Sequence, residues 1–146
     1  MAETMTMSID LLEGMRFETA GQDGVTVTLD SDAEHGGSGR GFRPMELLLT
    51  ALGSCTAMDV VSILRKKRQH VTGYRIEVTG VRANDYPKVF TAITIRHILS
   101  GPDLSEDAAR RAVELSEAKY CPAYAMLSKA AAITTELEVE AAIPPD

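Results

Sequence analysis

Apolar and polar residues alternate with a period of two in three stretches of the chain: 25–30 (Val-Thr-Val-Thr-Leu-Asp), 74–81 and 89–98. That period sends successive side chains to opposite faces of a strand, so each stretch reads as a strand. Two shorter apolar/polar mixtures, 6–12 and 15–19, precede the first of them. Gly21-Gln22-Asp23-Gly24 places Asp-Gly where two strands would reverse, because glycine tolerates the positive φ of a tight hairpin. Residues 6–30 therefore read as an antiparallel meander. Residues 74–98 read as a second strand pair around the turn-rich Asn84-Asp85-Tyr86-Pro87.

Between the two pairs, Pro44 opens a helix expected to run over 44–70, since proline suits a first helical turn. Its first half is apolar almost all round, the pattern of a buried central helix. Arg65 to Arg68 complement the negative end of its dipole, and Thr72-Gly73 closes it. The cluster Gly36-Gly37-Ser38-Gly39-Arg40-Gly41 lacks the Lys-Ser/Thr of a phosphate loop and reads as a flexible connection. Ser105-Glu106-Asp107 caps a helix over 105–119, a break at Pro122 precedes a short helix over 123–129, and a last strand covers 133–139. The Pro144-Pro145 tail is expected to fray. The fold class is α+β.

The 146 residues suit one domain over 1–146, and 45% apolar with 25% charged residues is the balance of a globular chain. A net charge of -6 disfavours nucleic acid, and the basic run Arg65-Lys66-Lys67-Arg68 is short. The longest uninterrupted apolar run is far below the ~18 residues that span a bilayer. The acidic start Met1-Ala2-Glu3 is unlike a signal peptide. A cytoplasmic protein without a membrane partner is the resulting expectation. His35, His70 and His97 are scattered and no Cys-x-x-Cys occurs, so neither a metal nor a cofactor is indicated. Of the histidines, His97 is expected to face solvent.

Two cysteines in a cytosolic chain make no structural framework. Cys55 lies inside the long helix, where a small apolar core residue is the plainer reading. Cys121 stands at a helix break, Tyr120-Cys121-Pro122, where a helix start can activate a thiol. Spacing along the chain does not show whether they meet. Asp59, four residues after Cys55 on the same helix face, would raise that thiol's pKa, which suits a structural hydrogen-bonding role better than catalysis.

The stretch Pro44-Met45-Glu46-Leu47-Leu48-Leu49, followed by Ala51-Leu52-Gly53-Ser54-Cys55 and Asp59-Val60-Val61, resembles the central-helix signature of the osmotically inducible protein C and organic hydroperoxide resistance (OsmC/Ohr) superfamily. Tyr120-Cys121-Pro122 with Met126-Leu127-Ser128 is similar to that superfamily's second cysteine motif, and the order of elements agrees. The resemblance implies the OsmC-like fold, antiparallel sheets around a buried central helix, in an intertwined homodimer whose sites lie at the interface. It implies a thiol-dependent peroxidase acting on organic hydroperoxides in preference to hydrogen peroxide, as an apolar setting would favour. Cys55 would become a sulfenic acid, Cys121 would resolve it as a disulfide, and an external dithiol of lipoyl or thioredoxin type would restore the pair.

Glu46 is the carboxylate implied to assist the thiolate, and Arg43 or Arg16 the activating arginine. Tyr120, Tyr124 and Met45 are candidates to line the pocket. Two departures from the family pattern carry the alternative reading. Met45 directly follows Pro44, so Glu46 is one place late, and about 13 Å of continuous helix would separate it from Cys55 unless residues 45–50 bend. Gln22 stands where the hairpin arginine is expected. A non-catalytic OsmC-like dimer that binds a small apolar ligand or senses redox state is that alternative, and a protein with two inert core cysteines is the third.

Overall fold

In a computed structural model describing residues 2–141, the chain forms two compact units, Met1–Leu48 and Leu49–Asp146. Pro144-Pro145, expected to fray, lies outside the described residues.

The first unit holds an antiparallel sheet of β1 (Ile9–Glu13), β2 (Arg16–Ala20) and β3 (Thr26–Leu29) in that order. The β2–β3 turn uses positive φ at both Asp23 (67°) and Gly24 (78°), the conformation that the Asp-Gly pair permits. The glycine-rich segment is not the flexible connection its composition suggested. It folds around Asp30, which is 3% exposed and accepts from the backbone N–H of Ser31, Ser38 and Arg40 and from the Ser38 hydroxyl at 2.8 Å. Gly37 is required there, because a Cβ at that position would lie 2.0 Å from the Ser31 carbonyl oxygen. The Ser38 hydroxyl and those N–H groups outweigh desolvation and hold the Asp30 carboxyl down at about 2.

Helix α1 (Pro44–Lys66) runs as one α-helix, with no loop at 45–50. It stops before the expected residue 70 because Arg68 takes the left-handed conformation at φ 57°. Arg68 N–H then bonds Arg65 O and Gln69 N–H bonds Leu64 O, the paired closure that usually employs glycine. By length and apolar content alone, α1 is the one helix among the described residues able to cross a membrane. Its buried residues are Leu52, Thr56, Val60 and Leu64, a stripe at four-residue spacing, with Gly53 beside it. Met58 on another face is 71% exposed.

The second unit contains a sheet ordered β4 (Gly73–Arg82), β5 (Phe90–Gly101), β6 (Ala132–Ala141). It is mixed, and the expectation of purely antiparallel sheets is corrected here. β4 and β5 are antiparallel, but β6 runs parallel to β5 from Ala92↔Ala132 to Gly101↔Ala141. The long connection through α2 (Glu106–Leu115) and α3 (Pro122–Leu127) supplies the crossover that a parallel neighbour needs. Gly53 brings α1 close to β4, since a Cβ there would lie 2.7 Å from Val78 Cγ2. Val60 and Leu64 of α1, Leu99 of β5 and Ala109, Ala112 and Val113 of α2 make the core.

Ser105 caps α2, accepting from Ala108 N–H at 3.1 Å. The single helix expected over 105–119 ends as an α-helix at Leu115 and widens into a π turn, Ser116–Tyr120. Cys121 N–H bonds Ser116 O at 2.8 Å, and Pro122 cannot donate the next bond that would continue the coil.

Candidate thiol site

Cys55 comes from the middle of α1 and Cys121 is the N-cap of α3, so two elements distant in the chain deliver one sulfur each. Cys121 Sγ lies 3.4 Å from the hydroxyl of Thr56, the residue next to Cys55, and close enough to the Cys55 thiol to raise its pKa, and the two sulfurs are unlinked. Cys121 Sγ accepts from Tyr124 N–H at 3.3 Å, as an N-cap side chain does, and from the Thr56 hydroxyl at 3.4 Å. Pro122 at the first helical position leaves no competing N–H beside it.

Burial raises the Cys55 pKa, and the neighbouring Cys121 side chain raises it further. Ala123 N–H opposes this, while the charges of Cys121 and Asp59 add to it. Cys55 is half-buried, whereas Cys121 is 2% exposed.

The π turn that delivers Cys121 is pinned from both sides. Ser116 Oγ donates to Asp59 Oδ2 at 2.8 Å, and Thr135 Oγ1 donates to Glu117 Oε1. Asp59 therefore ties α1 to the cysteine-bearing turn, the structural role its sign of charge suggested. Burial raises the Glu117 pKa against the Thr135 bond, with Glu114 adding to the rise, and burial also raises that of Tyr124, helped by Glu117. A cleft of about 300 Å³ opens beside Asp59, lined by Ile63, Leu115 and Tyr120 among others.

Of the residues singled out from sequence, the unit from Leu49 onward brings together Cys55, Cys121 and, through its backbone, Tyr124. Tyr120 is 50% exposed with the Lys119 ammonium 5.2 Å from its ring centre. Glu46, Arg43, Arg16 and Met45 belong to the other unit. There Glu46 Oε1 accepts from Arg43 N–H at 2.7 Å, the returning half of a capping box at the start of α1. Arg43 Nη1 donates to Gly41 O at 3.0 Å, Arg16 stands 4.0 Å from Glu13, and Met45 is half-buried.

Thr56 and Ser116 escaped the sequence reading. A threonine on the α1 stripe next to a cysteine was the available signal for the first, and Ser116 carried none. His97, expected in solvent, is fully buried instead, 2.6 Å from the Tyr74 hydroxyl through Nδ1. It shares its strand face with Ile93, Ile95 and Leu99, and burial pulls its pKa down to about 4. Burial likewise raises that of Tyr74. Among the described residues, no three His, Cys, Asp or Glu side chains gather closely enough to hold a metal ion.

Residues 35–136 match the family model described as OsmC-like protein. The chain belongs to the OsmC-like family. Protein YhfA of Escherichia coli strain K12 is 40% identical over 139 residues, 94% of this chain and 100% of that protein. The crystal structure of a hypothetical protein from Aquifex aeolicus VF5 is similar at a TM-score of 0.86 and 31% identity, covering 97% of this OsmC-like chain and 100% of that one. An organic hydroperoxide resistance protein OsmC from Legionella pneumophila, described as a predicted redox protein, shares the fold at a TM-score of 0.69 and 15% identity over 94% and 100% of the two chains.

Proposed function

We propose that this OsmC-like protein is a thiol-dependent peroxidase that reduces organic hydroperoxides, in preference to hydrogen peroxide, through Cys55 and Cys121. The observation that carries this reading is the juxtaposition of the two free sulfurs, one half-buried and one buried. The Cys55 thiolate attacks the terminal oxygen of the hydroperoxide, the O–O bond breaks, and the alkoxide leaves with a proton as the alcohol. The resulting Cys55 sulfenic acid is attacked by Cys121, which expels water and closes the disulfide. An external dithiol, of lipoyl or thioredoxin type, returns the pair to thiols and is itself oxidised to a disulfide.

A homodimer that works as one domain per chain is part of the proposal. Ile9 (60% exposed), Leu11 (58%) and Met15 (47%) leave apolar surface in the first unit for a second copy to cover. Glu46, Arg43 or Arg16, and Met45 keep in this proposal the assisting, activating and pocket-lining roles that the family resemblance implies. A reducing cytoplasm suits a resting dithiol.

Because burial holds the Cys55 thiol above the ordinary cysteine range, oxidation should accelerate with rising pH as the thiolate forms. The same raised thiol favours a second reading, a non-catalytic dimer that binds a small apolar ligand or senses redox state.

The test is consumption of cumene hydroperoxide by purified protein supplied with dihydrolipoamide or with thioredoxin and its reductase. Peroxidase activity predicts turnover that disappears in Cys55→Ser. No turnover with either reductant, together with a copurified apolar ligand, would turn the assignment to the second reading.

A further inference from the structure

Cys121 is buried by its own chain at 2% exposure, so no assembly of subunits can make it more accessible, whereas Cys55 is only half-buried. That difference in exposure points an external thiol attacking a Cys55–Cys121 disulfide to Cys55, with Cys121 as the sulfur displaced. The speed of such an exchange depends on how well the departing sulfur carries the electron pair. The described dithiol is the end state of that step, and in it Cys121 Sγ already has two donors, the Thr56 hydroxyl at 3.4 Å and Tyr124 N–H at 3.3 Å. Thr56 is 0% exposed, so no water competes for its hydroxyl, and its neighbour in sequence is the attacked cysteine. The Thr56 Oγ1–Cys121 bond thus couples the two sulfurs within one turn of α1.

We propose that Thr56 is a positioning residue for reductive recycling: its hydroxyl, with Tyr124 N–H, receives Cys121 as the departing thiolate when an external dithiol attacks the disulfide at Cys55. The reductant's thiolate forms an S–S bond to Cys55, the Cys55–Cys121 bond breaks, and its electron pair stays on Cys121 Sγ, which then takes a proton. The reductant's second thiol attacks its own bridging sulfur, frees Cys55 and leaves as a cyclic disulfide. This step rests on the dithiol reading above and is independent of what oxidises the pair.

The disulfide is formed with diamide, excess oxidant is removed, and reduction by dithiothreitol is followed by stopped flow in wild type, Thr56→Val and Thr56→Ser. Valine keeps the volume and removes the donor, so reduction should slow about three- to tenfold, in line with loss of one ordinary intramolecular hydrogen bond. Serine restores the hydroxyl and should return the rate to within about twofold of wild type, a rescue that a purely packing role for Thr56 does not predict. In parallel, wild-type disulfide is attacked by glutathione and quenched with iodoacetamide. Peptide mass spectrometry should find glutathione on Cys55 and the alkyl group on Cys121. Glutathione on Cys121, a wild-type rate in Thr56→Val, or failure of diamide to join the two cysteines would overturn the proposal. Thiols inert to cumene hydroperoxide, with the diamide-formed disulfide reduced as described, would remove the peroxidase reading and leave Thr56 its role.

Discussion

The sheet of β1, β2 and β3 and the sheet of β4, β5 and β6 have equal numbers of strands and opposite relations to water. In β1 every residue is exposed, Ile9 and Leu11 included, while in β5 alternate residues from Ile93 to Gly101 are buried. The second sheet has helices in its own unit to form the other layer of a core. In the first unit, Asp30 is the one buried side chain among the described residues, and it is held by hydrogen bonds in place of apolar contacts. The same β alternation therefore ends in burial only where the unit supplies a second apolar layer. The unit that has that layer also contains the cysteine pair.

Core deletion should break this contrast most strongly. Leu64→Ala removes a fully buried side chain from the α1–β5–α2 core and should lower stability by about 2–5 kcal/mol in urea unfolding. An effect below 1 kcal/mol would mean that the core is not where the second unit's stability resides.

The next largest effect comes from acid. Burial holds the His97 pKa at about 4 against 6.5 for a free histidine, so between those pH values the unfolded chain binds a proton that the folded chain refuses. Stability from this group is complete above pH 6.5 and falls as pH drops toward 4, by on the order of 3 kcal/mol. His97→Phe, which has no proton to take, should lose that part of the pH slope. Equal slopes in the two proteins, measured by denaturant titrations at several pH values, would place His97 in water.

Leu11→Ala should change folding stability by less than about 1 kcal/mol, because Leu11 is 58% exposed and leaves no cavity in its own unit. Its effect belongs to association. Leu11→Glu should shift sedimentation toward monomer if a second copy covers this sheet, and unchanged sedimentation would exclude Leu11 from a dimer contact.

Much of the fold was legible wherever local chemistry decides local structure. The alternation over 89–98 marks most of β5, Ser105 caps α2 as a serine before acidic residues should, and Asp-Gly turns β2 into β3. His97 was legible too: counting by twos from Ile95 or Leu99 puts it on their buried face, against the general preference of histidine for water. The stop of α1 was hidden because arginine gives no notice that it will adopt a left-handed conformation. The parallel direction of β6 was hidden because it follows from the path through α2 and α3 and not from the strand's own residues. At the site, both cysteine-bearing segments stood out, but their meeting depends on Ser116 and Asp59 holding a π turn against α1. Glu46, implied by the family resemblance to assist the thiolate, accepts from the N–H at the start of its own helix.

The central claim is that Cys55 and Cys121 form one redox pair, and mass spectrometry of the reduced protein exposed briefly to one equivalent of cumene hydroperoxide tests it most directly. The account predicts an intramolecular Cys55–Cys121 disulfide in wild type, a trapped sulfenic acid on Cys55 in Cys121→Ser, and no oxidised product in Cys55→Ser. Thiols that remain reduced in the wild-type protein would contradict it.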